Sequence, residues 1–347
     1  MKVMFNESNQ NDTTHVWYHI PYSVALYFLC SLGILFNLTV CLVIFTKQYL
    51  QQPLNRLIAN VALSDLTHSL SICLKYTFPI VISTYPQAFH GLTVTSVNTV
   101  CRFLNFFAAA SMSNSLLSLA FIGQERCHTI LHPFKSPYRN RKIVANLLFS
   151  WSISIGGSFL IVFATNFEEN KIVDCTGIYS KGSSFTSAIC TIIFAIISCI
   201  IPLLIITVCY TMIIAKLCVR KIPVNESSYK VKIRKMIQKK KLSITALLSS
   251  TILSAISTGP FIILYAFMTY HKVIDPRFYL FYPSRFWIFF QMFPLIMIQP
   301  CVFNPILYYF ASPTFKEEIK RLLASIGIIS YRPKIRLSNK KSTSSTH

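Results

Sequence analysis

The chain has 347 residues, 53% of them hydrophobic and only 13% charged, and its mean hydropathy is +0.52. A soluble domain of this size cannot present so apolar a surface to water, which leaves a membrane protein. The net charge of +22 does not call for nucleic acid, because the bases fall in loops where anionic inner-leaflet lipid would meet them, with no soluble recognition module.

Residues 1–20 read as a polar tail with no continuous apolar core and no small-residue cleavage pattern, so no removable signal peptide is expected. Asn6-Glu7-Ser8 and Asn11-Asp12-Thr13 are glycosylation sequons on that tail, which makes Asn6 and Asn11 the expected acceptors. Two further matches are discounted: Asn37-Leu38-Thr39 falls inside an apolar span, and Asn225-Glu226-Ser227 in a basic loop. Apolar stretches then begin near Pro21, Leu54, Val97, Ile143, Ser184, Leu242 and Arg285. Each supplies the roughly 20 residues that a hydrocarbon core of about 30 Å requires, predicting seven transmembrane helices over 21–311. A β-barrel is excluded, because its strands are about 10 residues long and alternate between lipid and lumen.

Basic residues alternate with the loops. Lys47 and Arg56 flank the first loop, Lys135, Arg139, Arg141 and Lys142 fill the third, and Lys216, Arg220, Lys221 and the bases from Lys230 to Lys241 crowd the fifth. The other side carries the acids Glu168, Glu169, Asp174 and Asp275. The positive-inside rule therefore puts the N-terminus outside.

Polar groups inside the spans carry the functional signal. Asp65 lies deep in the second, where an ionisable group is costly and must be paired, hydrated or functional. Protonation, or a bond to Asn37 of the first span, would be a purely structural explanation. Pro202, Pro260 and Pro305 remove backbone donors from the last three spans and predict kinks. Asn304-Pro305-Ile306-Leu307-Tyr308 places an amide beside a helix breaker, so neighbouring helices must satisfy the freed groups. Glu125 and Arg126 end the third span, and a boundary ion pair is the purely structural explanation for them. Most of the 11 cysteines lie in spans and behave as small hydrophobes. Cys101, at the outer entrance of the third span, and Cys175, in the fourth loop, face the oxidising side and are expected to pair; two free thiols are the alternative.

Beyond the seventh span, residues 312–325 set Phe315, Ile319, Leu322 and Leu323 against Lys316, Glu317, Glu318, Lys320 and Arg321, which predicts an amphipathic helix lying on the bilayer. No cysteine follows Cys301, so tail palmitoylation is not expected. Residues 326–347 read as a disordered cytoplasmic tail. Ser338, Ser342, Thr343, Ser344, Ser345 and Thr346 there suit a receptor kinase and an arrestin-like reader, or serve as soluble filler.

From Pro21 to about Leu323 the chain resembles the rhodopsin-like, or class A, G-protein-coupled receptors. The resemblance rests on ordered landmarks: Asn37, Leu63-Ser64-Asp65-Leu66, the spacing of Cys101 and Arg126, Glu125-Arg126-Cys127 as a variant of the Asp-Arg-Tyr triplet, Trp151, Pro202, Tyr210, Pro260 and Asn304-Pro305-Ile306-Leu307-Tyr308. It implies an all-α seven-helix bundle with a short eighth helix, a multi-pass protein of the plasma membrane that binds an extracellular ligand and activates a cytosolic heterotrimeric G protein. It assigns coupling and activation to Glu125, Arg126, Pro202, Tyr210, Pro260, Asn304, Pro305 and Tyr308, with the fifth to seventh helices pivoting. The cavity it implies is lined by Lys75, Asn105, Ala108, Met112, Phe194, Phe261, Tyr265 and Phe290. Ala108 stands where amine receptors carry an aspartate, which disfavours a monoamine; Lys75 suits a carboxylate, so a peptide or small acidic ligand is the first reading and an odorant-like role the second. A sodium and water site at Asp65 and Ser115, with Asn304 nearby, is the one cofactor implied.

Departures from the family pattern are specific. Ser257-Thr258-Gly259-Pro260 lacks the usual tryptophan, Ser254 replaces an aromatic one turn deeper, and the packing switch with Pro202 and Leu116 must therefore differ. Lys240 stands where an acid often restrains the third-span arginine, and Pro300 and Cys301 replace polar partners of the sodium site. A secondary transporter would show internal repeats, and a membrane hydrolase a His and acid cluster around a metal. Neither pattern is found.

Overall fold

In hydrocarbon every backbone N–H and C=O must be satisfied within the segment, so the apolar stretches have one solution, the helix. The computed structural model describes residues 13–132, 134, 140–164, 175, 185–219, 228–274 and 292–330. Asn6, Asn11, Phe290, the four outer-loop acids and the tail hydroxyls lie outside those residues, as do the side chains of Tyr265 and Lys240.

Along the chain run α1 (Thr13–Thr46), a 3-10 turn (Gln48–Leu50), α2 (Pro53–Thr84), α3 (Val94–Leu131), α4 (Asn140–Ala164), α5 (Phe185–Ala195), a π-helical turn (Ile196–Ile200), α6 (Ile201–Val219), α7 (Ser228–Ile274), α8 (Phe293–Met297), α9 (Gln299–Ala311) and α10 (Pro313–Ser325). Among the described residues six helical runs are long and apolar enough to cross a bilayer: Pro21–Thr46, Pro53–Thr84, Val94–Leu131, Ala188–Lys216, Ile244–Met268 and Phe293–Phe310. The 25-residue α4 reaches about 37 Å at 1.5 Å per residue and completes seven crossings. Thus α5, the π turn and α6 form the fifth span, α7 the sixth, and α8 with α9 the seventh.

Helix ends follow local chemistry. Thr93 caps α3, its hydroxyl accepting from the Ser96 amide at 3.1 Å. Pro53 opens α2 and Pro313 opens α10, positions where a missing amide proton costs nothing. Pro260 sits within the continuous α7, whereas the fifth span absorbs Pro202 through the π turn just before it. Pro79, inside α2, is a further interior proline that the sequence reading did not single out.

The third span is central. Of its apolar window 72% is buried, against 39% for the first and fifth, and it packs against the second, fourth and fifth. The seventh span closes the ring by packing on the first, second and sixth. At the inner end Val40, Leu57, Leu119, Ile122, Ile213, Leu247, Tyr210 and Tyr308 form one apolar cluster. Polar side chains fill the layer above it.

Candidate functional site

Asp65 is 2% exposed and has both carboxylate oxygens engaged. Ser115 donates to Oδ1 at 2.8 Å, and Asn304 Nδ2 donates to Oδ2 at 2.9 Å. Ser250 of α7 in turn donates to Asn304 Oδ1 at 2.6 Å. One acid thus ties the second, third, sixth and seventh spans through four buried side chains, and in an apolar interior such charge-assisted bonds are short and strong. Asn37 is not a partner of Asp65, contrary to the structural alternative. Its Nδ2 donates instead to the backbone oxygens of Gly33, at 2.8 Å, and Cys301, at 2.6 Å. Cys301 lies four residues before Pro305, so its carbonyl is the one that loses its helical donor to the proline. Asn37 replaces that donor from the first span.

A hard cation needs oxygen ligands. Here Asp65 and Ser115 supply them, while Pro300 offers no side-chain donor and Cys301 a soft thiol, so the residues present fit sodium through two side chains.

Two further polar clusters bracket this hub. Trp151 Nε1 donates to Asn60 Oδ1 at 2.9 Å, and Asn60 Nδ2 donates to Ser118 at 2.6 Å, joining the fourth, second and third spans. Ser154 of α4 donates to Ser113 of α3 at 3.1 Å, and Ser113 donates to Ser198 in the π turn at 2.9 Å. All three serines are fully buried.

At the inner end Arg126 Nε stands 4.0 Å from Glu125 Oε2, a charge contact without a hydrogen bond. Glu125 Oε1 accepts from Thr129 at 3.1 Å. The boundary ion pair therefore exists but is loose, and Arg126 is free of any tight lock to its own neighbour. Tyr210 and Tyr308, from the fifth and seventh spans, are both 3% exposed within the one inner cluster.

At the outer end Cys101 and Cys175 form the expected disulfide, with Cα atoms 4.9 Å apart. Asn105 Nδ2 donates to the carbonyls of Cys101, at 2.9 Å, and Cys175, at 3.0 Å. It holds the bridge onto α3. Phe194 packs on Gly157 of α4, where an added Cβ would lie 2.7 Å from its ring. Met112 belongs to an apolar layer with Ala195, Cys199, Ile262, Phe293 and Met297, against which Phe261 packs. Phe261 and Phe293 have ring centroids 5.3 Å apart, so methionine and phenylalanine pack this part of the sixth span, whose tryptophan is missing. Thr258 is buried and donates to the Ser254 carbonyl at 2.6 Å. Ala108 lies in a separate layer with Leu26, Ile72 and Ile298, flanked by Tyr22 and Tyr76. Lys75 is half-buried on α2.

His68 escaped the sequence reading. It is 3% exposed, and its Nδ1 lies 3.0 Å from the Ala108 carbonyl. A carbonyl only accepts, so Nδ1 carries the proton of this contact. The available signal was its position, three residues after Asp65 and hence on the same face of one helix. Phe293 was missed because the prolines and glutamine around it obscure the helical period.

Comparison with known proteins agrees with this geometry. Residues 36–308 match the family described as 7 transmembrane receptor (rhodopsin family). The chain is 25% identical to neuropeptide Y receptor type 6 of Mus musculus over 316 residues, covering 88% of this chain and 79% of that protein. It is 21% identical to the substance-P receptor of Aquarana catesbeiana over 88% of this chain and 71% of the relative. With neuropeptide FF receptor 2 of Rattus norvegicus the match is 24% over 42% of this chain, and spans 37% of that receptor. A match over most of the chain, together with the seven crossings and the polar hub that joins them, makes this protein a member of the rhodopsin family of seven-transmembrane receptors.

Proposed function

We propose that the protein is a plasma-membrane receptor for an extracellular peptide, with its N-terminus outside, and that it signals through a cytosolic heterotrimeric G protein. The observation that carries this reading is the continuous polar hub at Asp65, Ser115, Asn304 and Ser250, lying between an outer end tied by a disulfide and an inner end bearing Arg126, Tyr210 and Tyr308. A ligand that draws the outer ends of the sixth and seventh spans together must rearrange bonds made by Ser250 and Asn304, and two packings of one hub are what a bistable switch requires. The bases concentrated on one side support the orientation, and the peptide-receptor names of the relatives support the ligand class.

Half-buried Lys75 favours a carboxylate on that ligand, so a small acidic molecule is the second reading. Sodium would be held by Asp65 and Ser115 beside Asn304, where it would share the carboxylate with the donors already on it. Asn6 and Asn11 would carry glycans, and the tail hydroxyls would be kinase substrates read by an arrestin.

The test is a peptide library applied to membranes of cells expressing the chain, with nucleotide exchange on added heterotrimer as the readout. An active peptide is expected to lose at least about tenfold in exchange rate in Arg126→Ala while still binding, the loss of roughly one charge-assisted contact in the complex. Binding with an unchanged exchange rate in that variant would overturn the assignment of Arg126.

A further inference from the structure

Two residues of the inner end have a cysteine beside them in the chain. Cys127 follows Arg126 on α3, and Cys209 precedes Tyr210 on α6. Both are free thiols, each 8% exposed, and both belong to the inner apolar cluster. Cys127 stands where the Asp-Arg-Tyr triplet carries tyrosine, so a compact sulfur replaces a phenol where the third span meets the fifth.

A glycine brings the two helices together there. Gly123 lies one turn before Cys127 on the same face of α3. A Cβ added to it would stand 3.8 Å from the Cys209 Cβ and 3.8 Å from the Tyr210 ring. With no side chain at position 123 to hold the helices apart, Cys209 reaches that face of α3, and the Cys127 and Cys209 thiols come within hydrogen-bonding reach of each other. As a hydrogen bond the contact is weak, since sulfur is a poor donor and a poor acceptor. Two thiols that meet across two helices have a second chemistry, because loss of two electrons and two protons joins them as a disulfide. On the cytosolic side, where the proposed orientation puts this end, such bridges are transient and redox-sensing rather than structural.

We propose that Cys127 and Cys209 are a redox-sensitive dithiol, which hydrogen peroxide closes into a disulfide that clamps the third span to the fifth beside Arg126 and Tyr210. In the first step one sulfur attacks a peroxide oxygen, the O–O bond breaks, and the departing oxygen leaves as water with the thiol proton. A sulfenic acid remains. The second sulfur then attacks the first, the S–O bond breaks, and a second water carries away the other thiol proton. The peroxide thus takes up the two electrons that the thiols lose, and a dithiol reductant reopens the bridge by exchange. The bridge follows from the packing of α3 on α6; only its effect on signalling rests on the G-protein reading given above.

The experiment treats the full-length receptor in nanodiscs with hydrogen peroxide, alkylates the remaining thiols and digests the protein. Mass spectrometry should find a peptide pair linked through Cys127 and Cys209, absent from both Cys127→Ser and Cys209→Ser. The linked receptor should also unfold at a higher temperature than the untreated one, a difference that neither variant shows. Full alkylation of both thiols after peroxide would overturn the proposal, as would linkage spread equally over the other buried cysteines or a linked receptor with an unmoved midpoint. Ligand-independent nucleotide exchange on added heterotrimer is read on the same samples and should fall about tenfold in the linked parent alone. Undiminished exchange in a fully linked receptor would count against the coupling role of Arg126 while the bridge stands.

Discussion

Pro305 has no amide proton, and the carbonyl it strands belongs to Cys301. The 2.6 Å bond from Asn37 Nδ2 to that carbonyl makes an asparagine in the first span and a proline in the seventh parts of one solution, because an orphaned carbonyl in hydrocarbon has no water to turn to. Asn37→Ala is therefore expected to cost about 2 kcal/mol. Pro305→Ala reinstates the missing helical donor, so the double variant should be more stable than the summed losses predict, by roughly 1 kcal/mol. Thermal unfolding of the four proteins in one detergent measures the coupling, and strict additivity would show that the two residues act separately. Asn37 and Pro305 were each legible in the sequence as unusual residues for a span. That one completes the other was not, since 264 positions separate Asn37 from Cys301.

Elements are held by contacts that no single span specifies. At the inner surface Glu318 of α10 is 4% exposed, with Arg321 Nη1 at 3.0 Å from Oε1 and Lys47 Nζ at 3.9 Å from Oε2. Its carboxylate also meets the phenol of Tyr49 in the turn between α1 and α2, which is pushed up to about 12 by desolvation and then by the hydrogen bond and charge of Glu318. A raised phenol favours the folded contact while protonated. The contact is thus fully present below the ordinary tyrosine value of 10.0 and lost as pH rises through about 12. Glu318→Ala should move the Tyr49 midpoint back toward 10.0, seen as an alkaline difference spectrum against Tyr49→Phe; an unmoved midpoint would separate α10 from that turn. The fourth and fifth spans offer a steric counterpart. Gly157 admits the Phe194 ring, so Gly157→Ala should force the ring aside at about 1–3 kcal/mol, lowering the unfolding midpoint, and a variant as stable as the parent would mean the ring has room to yield. Amphipathic spacing made α10 readable, whereas the partner of its buried acid lay out of reach, because Lys47 and Tyr49 come from the opposite end of the chain.

For the molecule as a whole, the disulfide fixes how the outer end can move. Cys101 and Cys175 are 74 residues apart, and closing a loop of that length restricts the unfolded chain by about 4 kcal/mol. With Asn105 bonded to the carbonyls of both cysteines, Cys175 is also held on the central third span. The variant Cys101→Ser/Cys175→Ser should unfold at a lower temperature and lose surface expression on intact cells. Normal expression and an unshifted midpoint would relegate the bridge to an accessory. The hub at Asp65 belongs to this scale too, since it joins four spans and no pair of them alone accounts for it.

Length, apolar composition and the period of the spans were enough to determine seven helices, because a bilayer permits hardly any other solution for such stretches. The ordered prolines, Asp65, Arg126 and Asn304 were likewise enough to suggest the family. Tertiary structure decided which polar groups meet: Asn37 with the Cys301 carbonyl rather than Asp65, Asn105 with the carbonyls of the disulfide, and His68 with the Ala108 carbonyl. Hydrophobicity acts locally and without direction, so it is written into each segment. Hydrogen bonds are short and directional, and between helices they exist only after packing has set each neighbour's rotation and depth.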